Sequence, residues 1–389
     1  MKEGKFRDAI AEYHKSLEDH PENEAALFGM ALAQTQAGMA EQAVLSYESA
    51  LKINPQLWEA EINLGILLAN QQHFEQALSH FQQALELNPK SFQAASFAAR
   101  TLESLGRMPN AATSYLKALS LAASDSEKCN IHTFLGDLYL RAESWDDAER
   151  HLTAARQCQQ NPAVDLELAR LYLRKGEYDR SIELLQPLAT RRPEDAELQE
   201  LLGRALGKKG SFAAAVPVLE LSLKYQQDSQ RRQAASLELA EAYQNVGQTD
   251  KALQLLQATA ATSNNPRLHF HLGTLYLQQR NVEGAKESFL RAVHLKPDYI
   301  ECYSNLGSIL MVQEKYAEAL AAFSRFRVAR PEVAGTYFYM GLAFDKLNDV
   351  ENAFSHYGRF LDLDQGKSDK QGFQARERMK VLAKRLKRR

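Results

Sequence analysis

Hydrophobic positions recur along this chain at helical spacing, and no segment alternates apolar and polar residues as a β-strand does. Residues 64–89, LGILLANQQHFEQALSHFQQALELNP, show the pattern twice, in two apolar stretches of about 13 residues each. Pro89 ends the second stretch, because proline lacks the backbone N–H of a helical residue and disfavours a helical residue before it. The pattern predicts an all-α protein built from helical hairpins.

Three residue series repeat in register with these hairpins, at spacings of 33, 34 or 37 residues. Gly or Ala recurs in the first helix, a small residue recurs in the second helix, and Tyr, Phe or Leu follows four residues after it. Small residues let two helices approach closely and the bulky side chain fills the adjacent gap, while stacking of neighbouring hairpins buries the remaining apolar face. The first-helix series is Ala31, Gly65, Ala99, Gly136, Ala169, Gly203, Ala240, Gly273, Gly307 and Gly341.

This pattern resembles the tetratricopeptide repeat family over about residues 1–365. The resemblance implies a right-handed superhelical solenoid of helix-turn-helix units with a C-terminal capping helix. We expect a half unit (second helix only) at residues 1–23, ten units in one continuous solenoid at 24–365, and a polar loop with a basic capping helix at 366–389. The clearest motif matches are Leu64, Gly65, Leu68, Ala77, Phe81, Ala84 and Pro89 in one unit, and Leu306, Gly307, Leu310, Ala319, Phe323 and Pro331 in another.

The sequence opens within a unit, since residues 1–21 match only a second helix. We therefore expect sequence to be missing upstream of Met1, with an unusual cap formed by this helix as the alternative. Localisation stays open between two alternatives. The chain as written is expected to be cytoplasmic, and an upstream signal peptide would make it periplasmic or envelope-associated.

Charge and motif content exclude several functions. A formal net charge of −2 over 389 residues argues against a general nucleic-acid binder. We find no catalytic constellation, no metal motif and no cofactor motif, and we expect no small-molecule substrate. Cys129 and Cys158 fall at the same end of one predicted hairpin, which leaves both a disulfide and two free thiols open.

Two stretches of the predicted first helices are candidate partner-binding surfaces. In the resembled family, repeat positions 2, 5, 6, 9, 12 and 13 line a concave surface that takes a peptide or a partner helix. The first stretch is basic and is flanked by acidic residues. It could recognise an acidic segment of a partner, or its charges could be neutralised by the flanking acids, and both alternatives are open. The second stretch favours an extended peptide, with packing of its aromatic residues as the alternative. The basic stretch is Arg141, Arg170, Arg174, Arg204 and Lys208, and the aromatic and amide stretch is Phe270, His271, Asn305, Phe338 and Tyr339.

These observations favour a non-catalytic scaffold or adaptor that binds a protein or peptide, similar to bacterial multi-repeat adaptors. One alternative is the regulatory arm of an enzyme whose catalytic domain lies elsewhere. A second alternative rests on residues 376–389, which hold eight Lys or Arg and one Glu. Such a basic tail suits RNA or anionic lipid as a partner.

Overall fold

The computed structural model describes residues 2–158 and 160–387, and every regular element in these ranges is an α-helix, 22 in all. The expected all-α fold class is confirmed. The helices form two compact units, with the division between Leu188 and Ala189. Among the described residues, none of the helices combines the length and the apolar content needed to cross a membrane.

The first unit begins with one unpaired helix, continues with helical hairpins, and ends within α11. Its helices are α1 (Lys2–Asp19), α2 (Glu24–Gln36), α3 (Ala40–Ile53), α4 (Trp58–Asn70), α5 (Phe74–Leu87), α6 (Phe92–Ser104), α7 (Met108–Leu121), α8 (Asp125–Arg141), α9 (Trp145–Cys158), α10 (Pro162–Lys175) and α11 (Tyr178–Arg191).

The second unit holds five further hairpins and a terminal helix. Its helices are α12 (Ala196–Lys209), α13 (Phe212–Tyr225), α14 (Ser229–Asn245), α15 (Thr249–Ala261), α16 (Pro266–Gln278), α17 (Val282–Leu295), α18 (Ile300–Val312), α19 (Tyr316–Ala329), α20 (Ala334–Lys346), α21 (Val350–Asp364) and α22 (Asp369–Leu386).

Each hairpin closes on the small residue of its first helix. The ring of Phe81 is fully buried against Gly65, so that a Cβ added there would lie 2.7 Å from Phe81 Cε1. Such a Cβ at Gly307 would lie 2.6 Å from Phe323 Cε1. The repeated Gly or Ala therefore reflects the close approach of two helices, as the sequence pattern predicts.

Helix α22 packs against α21 and covers the last hairpin. Ala375 and Leu382 are fully buried in a cluster that also contains Tyr357 and Phe360. The guanidinium of Arg378 donates two hydrogen bonds, 2.7 and 2.8 Å long, to the carboxylate of Asp345. This paired fork fixes the helix in one orientation, and the expected C-terminal capping helix is present.

Candidate partner-binding surfaces on the first helices

The first helices α4, α6 and α8 border a cleft of about 410 Å³ in the first unit, which is lined by both aromatic and polar residues and is here called the aromatic cleft. Its rings are held by packing beneath them. Phe97 stacks on Phe81 with the ring centroids 5.6 Å apart, and Phe134 stacks on Tyr115 at the same distance. The cleft is therefore pre-organised, because its half-buried rings are fixed from below. Its lining includes Ile66, Ala69, Asn70, Phe74, Phe97, Arg100, Phe134 and Asp137.

Arg100 supplies an available positive charge at this cleft. Its guanidinium carbon lies 5.7 Å from the centroid of the Phe134 ring, in a cation–π arrangement. The residue is exposed. Within residues 2–158 and 160–387, no carboxylate lies within 4.0 Å of its side chain.

A second cleft, of about 270 Å³, adjoins the first through Asp137 and runs between α8 and α10. Three of the predicted basic residues line it, and two of them, Arg141 and Arg170, are paired with acids. Arg141 bonds to the carboxylates of Glu103 and Asp137. Arg170 Nη1 lies 3.0 Å from Glu167 Oε1. The surface around these two arginines is therefore a network of ion pairs with little net positive charge.

Arg174, the third predicted cation of this unit, is different. It is exposed on α10, and its guanidinium carbon lies 5.4 Å from the ring centroid of Trp145. No carboxylate of the described chain lies within 4.0 Å of it. Arg100 and Arg174 are thus the cations that this surface can offer to a partner.

Glu103 connects the two clefts. It accepts a hydrogen bond of 2.9 Å from the Tyr115 hydroxyl and also pairs with Arg141. Burial, then the neighbouring Glu103 carboxylate, raises the pKa of Tyr115 well above its ordinary value. The tyrosine therefore remains a neutral donor and helps to hold Glu103 in place.

In the second unit, Arg204 is also neutralised by its neighbours. Its Nε lies 2.6 Å from Glu238 Oε1 and its Nη2 lies 2.5 Å from Glu200 Oε1. Burial raises the pKa of Glu238 despite the opposing pull of Arg204. The other carboxylate oxygen of Glu238, Oε2, is buried without a hydrogen-bond partner. Lys208 is exposed in the same small cleft and has no carboxylate within 4.0 Å in the described part of the chain.

The predicted aromatic and amide stretch lies on α16, α18 and α20, and most of it is half-buried. Phe270 packs edge-to-face on Tyr299 at 5.2 Å, while burial lowers the pKa of His271. Asn305 Nδ2 donates to the backbone carbonyl of Glu301 at 3.4 Å. These side chains therefore serve partly in packing and keep one accessible side.

The expectation that Phe338 is an exposed binding residue is wrong. Its side chain is buried, with 5% of its surface exposed. It packs edge-to-face on Phe360 at 5.2 Å and on Tyr357 at 5.9 Å. The reason is local, since Phe360 replaces the usual small residue and α22 closes the cluster. Tyr339 stacks on Phe323 and stays half-buried.

The residues of the aromatic cleft are absent from the predicted stretches, although their repeat positions indicate the same surface. Phe97 and Phe134 occupy the same repeat position as Asn305, and Arg100 occupies that of Arg204. The helical phase rule that selected the later stretches would have selected these residues as well.

Two further features of the structure concern possible metal ligands and the state of the cysteine thiols. The described residues contain no group of three or more His, Cys, Asp or Glu side chains placed to hold a metal ion. Cys129, Cys158 and Cys302 are free thiols, so of the two alternatives for the first pair the structure has the reduced one. Burial, with Cys158 nearby, raises the pKa of Cys129 to about 11, and an unionised thiol is a poor nucleophile.

Comparison with known protein families shows to which family the chain belongs. Two models described as "Tetratricopeptide repeat" match most of the sequence, one over residues 62–126, 237–300 and 305–368, the other over 1–63 and 139–205. The chain belongs to the tetratricopeptide repeat family. Repeats of this family form protein-interaction scaffolds, and at that level the chain is one.

Individual relatives are distant. The chain is 27% identical over 267 residues to "BBSome complex member BBS4" of Bos taurus, covering 68% of this chain and 50% of that protein. It is 26% identical over 200 residues to "Protein O-mannosyl-transferase TMTC1" of Homo sapiens, covering 49% and 22% respectively. The chain thus spans about half the length of the BBS4 proteins it matches.

Among solved structures, the C-terminal part of a TPR repeat-containing protein from Cytophaga hutchinsonii superposes with a TM-score of 0.51. The match covers 59% of this chain and 94% of that one at 17% identity. This is a likeness of fold alone.

Proposed function

We propose that the chain is a non-catalytic scaffold that binds an extended segment of a partner protein across the first helices of its first unit. One observation carries the proposal. The pre-organised aromatic cleft has Arg100 and the adjoining cleft has Arg174, and neither arginine has a carboxylate within 4.0 Å in the described part of the chain. The neighbouring Arg141 and Arg170, in contrast, are paired with acids.

The proposed partner segment has an apolar side chain and a carboxylate. The apolar group enters the aromatic cleft, where burial contributes about 25 cal/mol per Å² of apolar surface. The carboxylate reaches Arg100 or Arg174, whose planar guanidinium groups suit bidentate pairing. A carboxylate approaching Arg141 would have to displace Glu103 or Asp137, with little net gain.

In the second unit we assign partner contacts to groups that keep unused hydrogen-bonding capacity. Lys208 offers an exposed ammonium group that has no carboxylate within 4.0 Å in the described part of the chain. Asn305 and Tyr339 are half-buried and have a polar group each. Phe270 and His271 would supply apolar contact area beside them. These groups suit the backbone of an extended peptide better than they suit a compact anion.

Affinity capture from a lysate of source cells, read by mass spectrometry, tests the proposal. The wild-type chain is compared with Arg100→Glu/Arg174→Glu and with the control Lys117→Glu, which reverses an exposed charge on the second helix α7. We expect a partner that wild type and control capture and that the double variant loses. A partner captured equally by all three, with matching circular dichroism spectra, refutes this surface.

An alternative is that the chain is the regulatory arm of a larger enzyme. Its support is the resemblance to part of the human O-mannosyl-transferase, of which it covers 22%. The reading frame that encodes the chain distinguishes the two, because a regulatory arm requires a catalytic domain in the same polypeptide or in a captured partner.

A second surface favours anionic lipid or RNA as an additional partner. The face of α22 opposite its buried Ala375 and Leu382 exposes Phe373 (61%) and Val381 (45%). Lys384 shares that face, as does Lys380, whose Nζ lies 2.6 Å from Glu377 Oε1. Exposed apolar residues among lysines suit a phosphatidylserine membrane better than RNA. Cosedimentation with phosphatidylserine vesicles, lost in Phe373→Ala/Lys384→Glu, supports lipid, whereas salt-sensitive RNA binding without vesicle binding assigns the tail to RNA.

A further inference from the structure

A cleft of the second unit lies on the side of its second helices, away from the residues assigned above. It measures about 610 Å³ and runs between α13 and α15, with α14 forming its floor. Leu239 and Tyr243 on α14 are buried, while Leu223 and Leu255 are half-buried at its sides. We call it the cationic cleft.

Three exposed cations surround this apolar floor, and their positions are set by local contacts. Arg232 Nη1 donates to the carbonyl oxygens of Leu223 (3.0 Å) and Gln226 (3.2 Å) at the C-terminal end of α13. Lys251 Nζ lies 5.4 Å from the Tyr243 ring centroid. Lys224 is the third cation.

The positive charge of the cleft is not neutralised from within. No carboxylate of the described residues lies within 4.0 Å of Lys224, Arg232 or Lys251. Glu220 is the acidic group in the lining, and it accepts a hydrogen bond of 2.6 Å from the Tyr243 hydroxyl. In a chain with a net charge of −2, this is a local excess of about two positive charges at a lipophilic floor.

The chain contains its own comparison. The cationic cleft belongs to one of the two repeats that have a spacing of 37 residues. The equivalent residues of the other long repeat lie 104 positions earlier in the sequence. Tyr139 there matches Tyr243, but Ser120 replaces Lys224 and Asp147 replaces Lys251. Two cations of that repeat, Lys128 and Arg150, pair with Asp125 and Asp147. His151, which replaces Leu255, is buried there against His132. The longer repeat therefore does not by itself create the charge excess.

We propose that the cationic cleft is a docking site for an acidic segment of a partner protein, with an apolar side chain on Leu239 and Tyr243 and carboxylates on Lys224, Arg232 and Lys251. The charge complementarity selects the acidic character of the partner. The buried floor between separated cations selects an apolar residue flanked by carboxylates on both sides. This inference does not depend on the proposed use of the first helices.

Carbodiimide crosslinking of the full chain tests the site directly, because the reagent joins a bound carboxylate to an adjacent lysine amine. The probe is the peptide EELEELEE, and its controls are EESEESEE and KKLKKLKK. We expect mass spectrometry to find EELEELEE on Lys224 and Lys251 and not on the exposed Lys117 of α7. EESEESEE should give at least about fivefold less product, since it lacks the apolar contact.

Binding measured by fluorescence anisotropy gives the second readout. Because the probe also suits the first-helix surface, titrations use wild type and the Arg100→Glu/Arg174→Glu background. In both, Lys224→Glu/Lys251→Asp should weaken binding at least about tenfold, or 1.4 kcal/mol. Lys117→Glu should leave binding unchanged, and salt near 1 M should abolish it.

Three results overturn the inference. The first is an absence of saturable probe binding up to about 1 mM, which corresponds to less than about 4 kcal/mol. The second is equal binding by wild type and Lys224→Glu/Lys251→Asp, which would place the probe elsewhere. The third is decanoate binding that depends on these lysines without peptide binding, which would assign the cleft to a small amphiphilic anion. If Arg100→Glu/Arg174→Glu weakens binding of the probe and the lysine variant still weakens it further, the first of these effects concerns the first-helix surface and not the cationic cleft.

Discussion

Acidification should destabilise the first unit through two histidines that touch inside one hairpin. His132 on α8 and His151 on α9 lie with their Nδ1 atoms 2.9 Å apart, and 4% of the His151 surface is exposed. Arg150 Nη2 lies 3.4 Å from His151 Nε2, which makes Nε2 an acceptor. The proton of His151 is then on Nδ1 and is donated to His132, so both rings are neutral.

The direction and size of the effect follow from the pKa of His151. Burial, then His132 and Arg150, lowers it from 6.5 to about 4, against a smaller opposing effect of Asp147. The unfolded chain therefore binds more protons between these values, and stability falls as the pH falls. At 1.36 kcal/mol per unit, the complete effect is about 3 kcal/mol, with about 2 kcal/mol lost by pH 5. Burial also lowers the pKa of His132, which acts in the same direction.

The assay is urea unfolding, followed by circular dichroism, at about pH 7.5 and about pH 5. The comparison protein is His132→Ser/His151→Leu, which copies Ser236 and Leu255 from the equivalent positions of the other long repeat. Other buried histidines titrate in the same direction in both proteins, so the informative quantity is the difference between the two pH dependences. We expect the variant to lose about 2 kcal/mol less on acidification.

Two outcomes would refute this reasoning. One is an equal loss of stability in both proteins, which would assign acid sensitivity to other groups. The other is a His151 ring resonance that titrates near pH 6.5 in the folded protein, because that would show a solvated imidazole. If the variant is less stable than wild type by the same amount at both pH values, it has a packing defect. Such a defect leaves the change in stability between the two pH values unaltered.

Three further substitutions have distinct expected effects. Tyr115→Phe removes the hydrogen bond to Glu103 and should lower the free energy of unfolding by about 1 kcal/mol; an unchanged urea midpoint contradicts this. Phe338→Ala should cost about 3–5 kcal/mol in stability, as for a buried aromatic residue; unchanged stability with weaker partner binding would restore it as a contact residue. Arg378→Ala leaves the carboxylate of Asp345, 7% exposed, without its fork; hydrogen exchange of α22 should rise at least about tenfold, and unchanged protection refutes the role of the pair.

The sequence predicted the hairpins well because each depends on local rules. The spacing of Gly65 and Phe81, for example, is set by one helix-to-helix contact that any stacked hairpin needs. The same periodicity selected the first-helix positions that we propose as partner contacts. Periodicity does not encode the pairing of charges between helices, however. Arg141 looks available in the sequence, and its partner Glu103 lies 38 residues away.

Local exceptions to the repeat explain the other differences. Phe338 occupies a repeat position at which the family resemblance implies a partner contact, but the bulky Phe360 and the additional helix α22 bury it. The phase rule assumes identical neighbours, and that assumption fails at the last hairpin. Arg100 shows the opposite error, since this cation lies outside the predicted basic stretch and yet has no carboxylate within 4.0 Å in the described part of the chain.

The two long repeats show why packing and surface chemistry vary independently in this chain. Both keep the tyrosine of the first helix, at Tyr139 and Tyr243, because it packs between helices in each. The residues around it differ between the two repeats, with Asp147 in one and Lys251 in the other. One repeat buries His151 on its outer side, where we predict sensitivity to acid; the other leaves Lys251 beside an apolar floor. Binding sites in such a chain are therefore best sought where side chains depart from the repeat while the helix packing does not.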